Sequence, residues 1–144
     1  MNDHITRFMK LAGLEKPEDR VDGIWITAPD VNRKTLTDAA NELNFRLSTA
    51  TCLERGDGEF DVLYHFVHAS LAVNIRTTTK SQHMPSLAAF LPSASWIERE
   101  MHDLYAVTFD GHPDPRPLVR PPQMPEGFFR KSVAESLLKE SEAK

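Results

Sequence analysis

The chain has 144 residues, 40% of them hydrophobic and 26% charged, which suits a single domain with a core of its own. A net charge of −4 argues against a nucleic-acid binder, which carries a basic excess. The single cysteine, Cys52, excludes an internal disulfide and a cysteine-held iron–sulfur or structural zinc centre; it reads as a small buried strand residue.

No apolar run approaches the ~18 residues of a membrane span. The N-terminus carries no apolar signal segment, so a cytoplasmic location is expected, peripheral to a membrane only through a partner.

Ile5, Phe8, Met9 and Ala12 recur at helical spacing, with Asn2 or Asp3 to cap the start and Gly13 to stop the helix. Pro17 and its charged neighbours read as a loop. Gly23–Ala28 is β-branched and aromatic, hence a strand. Asn32 caps a second helix with Leu36, Ala39, Ala40 and Leu43 on one stripe. Phe45–Leu53 is a strand ending at the turn Arg55-Gly56-Asp57-Gly58. Phe60–Val67 and Leu71–Thr78 alternate with period two, giving two more strands in a meander. The polar run Thr77–Gln82 reads as a hinge. Pro85–Leu91 reads as a short helix, and Trp96–Tyr105 as a longer one. That helix starts at Ser93 or Ser95, with Glu98 completing a capping box, and buries Ile97, Met101, Leu104 and Tyr105. Lys131–Lys144 reads as a loose terminal helix built on Val133, Leu137 and Leu138.

The pattern predicts a single α+β domain. A sheet of about four strands is covered by helices and followed by an extended proline-rich C-terminal arm. Residues 1–80 form the scaffold, 81–132 the distinctive helix and arm, and 133–144 a tail. Six of the ten prolines fall between Pro113 and Pro125, so that stretch lacks backbone donors and must run largely as polyproline-type chain. It is then either disordered or laid across a surface, and Phe128 and Phe129 beyond it call for cover.

Catalytic patterns are scarce. His65 and His68 are three apart in a strand and point to opposite faces. Glu98 and His102 sit four apart on a helix, a workable ligand pair that lacks an HExxH pattern or third ligand nearby. There is no Gly-x-Ser-x-Gly elbow and no glycine-rich phosphate loop. Glu100 and Asp103 form a like-charge pair on one helix flank that needs cations. Arg99 at i, i+4 from Asp103 and the arm's Arg116, Arg120, Arg130 and Lys131 are the candidates, through forked pairs that fold the arm back over the helix or over a partner.

These residues carry a resemblance. Trp96-Ile97-Glu98-Arg99-Glu100, Asp103-Leu104, Phe109-Asp110-Gly111-His112-Pro113 and Arg130-Lys131 resemble the signature of the 30 kDa subunit family of respiratory complex I. Similar subunits occur in energy-converting membrane-bound nickel–iron hydrogenases. The chain departs from the pattern at Ala106-Val107, where the family has Gly-Ile, and at Arg116-Pro117, where it has two arginines. Phe128-Phe129 stands for Pro-Leu and Ser132 for Asp; with the short tail, these departures lean towards the hydrogenase-type branch.

The resemblance implies a non-catalytic subunit without a cofactor, metal or catalytic residue of its own. It implies docking on the large catalytic subunit (49 kDa or hydrogenase large-subunit type), beside the small iron–sulfur subunit, with the iron–sulfur or nickel–iron centres on those partners. The interface is expected at Trp96, Glu98, Arg99, Glu100, Asp103, Phe109, Gly111, His112, Pro113, Arg116, Arg120, Phe128, Phe129, Arg130 and Lys131. The runner-up reading is a free-standing small-molecule or metal-binding domain using Glu98, His102 and His112. A third is a hydrolase using Glu98 and His102.

Overall fold

Asn2 accepts the His4 N–H at the start of α1 (Asp3–Ala12), and Gly13 ends it in the left-handed conformation. The computed structural model describes residues 1–56 and 58–143; Asp57 of the expected turn and Lys144 of the expected tail helix lie outside the described residues. A short strand, β1 (Glu18–Arg20), precedes β2 (Gly23–Thr27). Asn32 caps α2 (Arg33–Glu42) by accepting the Thr35 N–H. Three long strands follow: β3 (Arg46–Gly56), β4 (Glu59–His68) and β5 (Leu71–Thr79).

The main sheet has five strands in the order β1-β2-β5-β4-β3, with β2 and β5 parallel and the remaining pairs antiparallel. The fold is thus a single α+β domain with a mixed sheet, one strand wider than the sequence predicts. The extra strand is the charged triplet Glu-Asp-Arg, which is fully exposed and has no apolar alternation to betray it. Main-chain pairing to β2 makes it a strand.

Period two decides which face is covered. Ile24, Ile26, Val62, Tyr64, Phe66, Val73 and Ile75 point to one face and are buried there with Phe8 and Leu36 of the first two helices. Phe8 and Phe66 meet with ring centroids 6.0 Å apart. The other face holds Asp61, which is buried against the guanidinium groups of Arg55 and Arg76 at 2.8 and 3.2 Å.

Beyond β5 the structure corrects the sequence reading twice. Thr77 and Thr79 are buried in the strand, and Thr79 Oγ1 donates to His83 O at 2.7 Å, so the expected hinge is tied down. The expected helix Pro85–Leu91 is instead the end of β6 (His83–Pro85) followed by a single turn closed by Phe90 and Leu91 N–H donating to Leu87 O. A 3-10 turn, Pro92–Ala94, leads into α3 (Ser95–Tyr105), and β7 (Thr108–Asp110) then pairs in parallel with β6. This two-stranded clip fastens both ends of α3 to the domain. The chain closes with α4 (Lys131–Glu142), which has no fully buried residue.

Candidate functional site

α3 packs on the covered face of the main sheet: Met101 is buried and the Tyr105 ring meets Phe60 edge-on at 6.3 Å. Ile97, Leu104 and Tyr105, expected in the buried stripe, are only half-buried. The fully buried positions include two carboxylates, Glu98 and Asp103. Burying a carboxylate is costly unless donors surround it, and each has its own set.

Glu98 does not complete a capping box. Ala94 stands at the cap and makes no side-chain bond. The Glu98 carboxylate turns inward to the segment after β6. Oε1 accepts from Ser86 Oγ at 2.7 Å and Ala88 N at 2.8 Å; Oε2 accepts from Leu87 N at 2.9 Å and Tyr64 Oη at 3.4 Å. This grip satisfies the Leu87 and Ala88 amides and fixes the single turn that follows β6 to α3. Burial raises the Glu98 pKa above the usual glutamate value, opposed chiefly by the Ser86 hydroxyl and the Ala88 and Leu87 amides.

Asp103 organises the arm. Its Oδ2 accepts three successive backbone N–H groups, from Leu118 at 2.8 Å, Val119 at 2.7 Å and Arg120 at 3.1 Å. Farther along, Gly127 N donates to Asp103 O and Phe129 N to Leu104 O. The arm therefore lies over its own helix. Forked arginine pairs to the helix acids do not hold it there. Arg99 Nε and Nη2 donate to the carbonyls of Arg116 and Pro117 at 2.8 and 3.0 Å, with Asp114 3.7 Å from Nη1. Arg116 forks onto Asp114, whose carboxyl is held well below the usual range by that guanidinium. Arg120 Nη1 donates to Met124 O. Arg130 lies over the Phe60 ring at 5.4 Å, and with the Gln82 amide oxygen facing it, Nη1 donates there at 2.6 Å.

The prolines do not impose one straight run. The chain curls into the three-amide cup at Leu118–Arg120 and turns again at Pro121–Met124, where Met124 N donates to Pro121 O. Backbone donors that prolines leave behind converge on one carboxylate, which a straight polyproline segment would not allow. Phe128 is half-buried and Phe129 stays exposed, its ring edge-on to Tyr105 at 6.2 Å.

The remaining expected interface residues divide by burial. Phe109 is buried in β7, and Gly111 takes φ +85° at the corner. His112 Nε2 donates to Ser95 O at 3.0 Å while its Nδ1 accepts the Asp114 N–H, so the corner is stitched to the start of α3. Pro113, Arg116 and Lys131 are exposed, as are Trp96 and Glu100. Lys131 N–H donates to Glu54 at 2.9 Å.

Glu98, His102 and His112 do share a pocket, together with Arg99, Thr108 and Phe109, but its volume is about 50 Å³. That holds one or two waters, since each occupies roughly 30 Å³ in the liquid. His102 Nδ1 is committed to Val107 O at 2.9 Å. Among the described residues no three His, Cys, Asp or Glu side chains stand close enough to share a metal ion. Cys52 is buried, and burial, followed by Asp61 and Glu54, pushes its thiol up to about 12, far from a reactive thiolate.

Ala106 occupies the left-handed position that ends α3, with φ +57° and its N–H on His102 O. The expected glycine is absent, yet the turn is kept, at roughly 1 kcal/mol of backbone strain. Ala106→Gly should therefore raise the stability by about 0.5–1 kcal/mol in urea denaturation. No gain would show that the strain is relieved by the contact with Gly127.

Sequence reasoning missed Tyr64, Ser86, Asp114 and Gly127. Gly127 carried a local signal: a glycine shortly before Arg130-Lys131 supplies φ +71° and a close approach to Ala106.

Fold and site together define an α+β domain carrying an irregular arm, fixed by a buried carboxylate, Asp103, on a helix that also exposes a tryptophan. Residues 26–136 match the family described as respiratory-chain NADH dehydrogenase, 30 Kd subunit. The chain belongs to that family. It is 43% identical over 63 residues to the C subunit of NADH-quinone oxidoreductase from Rhodopseudomonas palustris (strain BisB18), covering 42% of this chain and 32% of that one. It is 45% identical over 65 residues to the C subunit from Methylobacterium radiotolerans, covering 42% and 29%. With the C/D subunit of the Methylococcus capsulatus oxidoreductase it shares 37% over 67 residues, 44% of this chain and 11% of the relative. The aligned part thus spans about a third of the C-type relatives and about a tenth of the C/D relative. The fold is similar to a solved trypsin-resistant fragment (1–134) of Nqo5, with TM-score 0.57 and 21% identity over 77% of this chain and 98% of that one.

Proposed function

We propose that the chain is a non-catalytic structural subunit of a complex I-like NADH:quinone oxidoreductase or a related energy-converting hydrogenase. It docks on the large catalytic subunit in the cytoplasmic peripheral part of the complex. Membership of the 30 kDa subunit family across α3 and the arm carries this reading. Relatives named C/D, single polypeptides bearing both designations, support a large D-type partner. The redox centres belong to partner subunits, and contact with the membrane is through the complex; no helix among the described residues is long and apolar enough to cross one.

Affinity purification of the tagged chain from its native cells, with mass spectrometry and metal analysis, tests this. The expected result is co-purification with a large D-type polypeptide and an iron–sulfur polypeptide. Recovery as a lone monomer, free of iron- or nickel-bearing partners, would overturn it.

A further inference from the structure

Three charges of the family signature, Glu98, Arg99 and Asp103, are not available to a partner, whereas Glu100 and Lys131 are exposed. Glu98 and Asp103 are fully buried and saturate amides of this chain, and the Arg99 side chain is only 12% exposed and holds two arm carbonyls. If these residues serve assembly, they do so by shaping the arm, and something else must touch the partner.

On α3, Trp96, Glu100 and Asp103 fall on one stripe at i, i+4 and i+7. The arm covers the Asp103 end of that stripe and stops there. Trp96 is left 71% exposed, an unusual state for an indole, and Glu100 is exposed beside it. Among the described residues no cation lies within ion-pair distance of Glu100. On the arm, Val119 is 49% exposed, and its amide is anchored 2.7 Å from the carboxylate of Asp103, three positions beyond Glu100 on α3. Two exposed apolar side chains and one unpaired negative charge are thus carried by α3 and by the arm segment bonded to it.

We propose that Trp96, Glu100 and Val119 are the contact read by the large D-type partner, whose complementary surface is an apolar pocket with a guanidinium or ammonium group at its rim. The assignment rests on the docking reading above. Charge complementarity to Glu100 selects the cationic rim. The ring of Trp96 favours the same cation, because its face attracts positive charge. Rigid aromatic anchors beside a charge are also where interface energy concentrates.

The chain has two tryptophans, so Trp25→Phe leaves Trp96 as the sole indole reporter. In a co-expressed complex with the large D-type polypeptide of the same organism, Trp96 emission should shift to the blue and its quenching by acrylamide should fall several-fold. In the unaltered background, Trp96→Ala should weaken the complex about 30-fold, and Glu100→Lys should weaken it further at low salt than at high salt. Leu138→Glu, at an exposed site on α4, should leave affinity unchanged. A complex that forms with Trp96 still fully quenched, or with Trp96→Ala at full affinity, overturns this assignment and leaves docking intact. Failure of the unaltered chains to form any complex overturns both.

Discussion

Asp103→Ala should release the arm. Three amide donors lose a charged acceptor, and bonds of that kind are worth roughly 1.5–3 kcal/mol each before the chain relaxes into water. The expected loss is about 3–4 kcal/mol, a fall in melting temperature on the order of 10 °C for a chain of this size. Hydrogen exchange gives the local readout: the Leu118, Val119 and Arg120 amides, protected in the native chain, should exchange near the free rate. Asp103→Asn should behave differently. All three amides converge on Oδ2, while Oδ1 has no partner. An asparagine can place its oxygen at the first position and its NH2 at the second, where no donor opposes it. It keeps three bonds, loses their charge assistance, and should cost only about 1–2 kcal/mol. If Asn proved as damaging as Ala, the negative charge itself, rather than the acceptor geometry, would be what holds the arm.

That contrast marks what was legible in the sequence. Periodic signals located α1, α2 and the long strands β4 and β5, because apolar residues repeating with the element's own period must face a core, while β3 was marked by its strand-forming residues and the turn after it. Asn2 and Asn32 cap their helices as expected, since capping depends only on neighbours within three positions. The distant partners of polar residues were not legible. Glu98 reads as a capping residue from its spacing to Ser95, yet its donors lie ten to thirty-four positions away. Asp103 reads as a charge awaiting arginine, and receives backbone amides from an arm whose prolines suggest it has few to give. β6 and β7, three residues each, carry no readable period and exist because they pair with each other. Composition showed that the segment from Trp96 to Ser132 was unusual. It did not show that one buried acid, Asp103, fixes the arm while the other, Glu98, fixes the turn after β6 and the tryptophan stays outside.

Glu98→Gln should be far more damaging than Asp103→Asn, although the chemistry of the change is the same. Both Glu98 oxygens are in use, each facing a backbone amide: Ala88 at one and Leu87 at the other. Whichever way the glutamine amide turns, its NH2 meets an N–H that cannot become an acceptor. The hydroxyls of Ser86 and Tyr64 can rotate to accept; the amides cannot. A buried donor left without a partner costs about 1–3 kcal/mol, and the clash adds to it, so the expected loss is roughly 3–5 kcal/mol by urea denaturation. The pH dependence gives a second, signed test. Because burial raises the folded-state pKa of Glu98 above its ordinary 4.5, the folded state binds the proton more tightly than the unfolded state. The stability this group contributes is then complete below 4.5 and is lost as pH rises through the raised folded value. Glutamine does not titrate, so the stability gap between the native chain and Glu98→Gln should widen from pH 8 down towards 4.5. A gap that narrows on acidification would mean that the Ser86, Leu87 and Ala88 donors outweigh burial and hold Glu98 ionised, with its pKa lowered rather than raised.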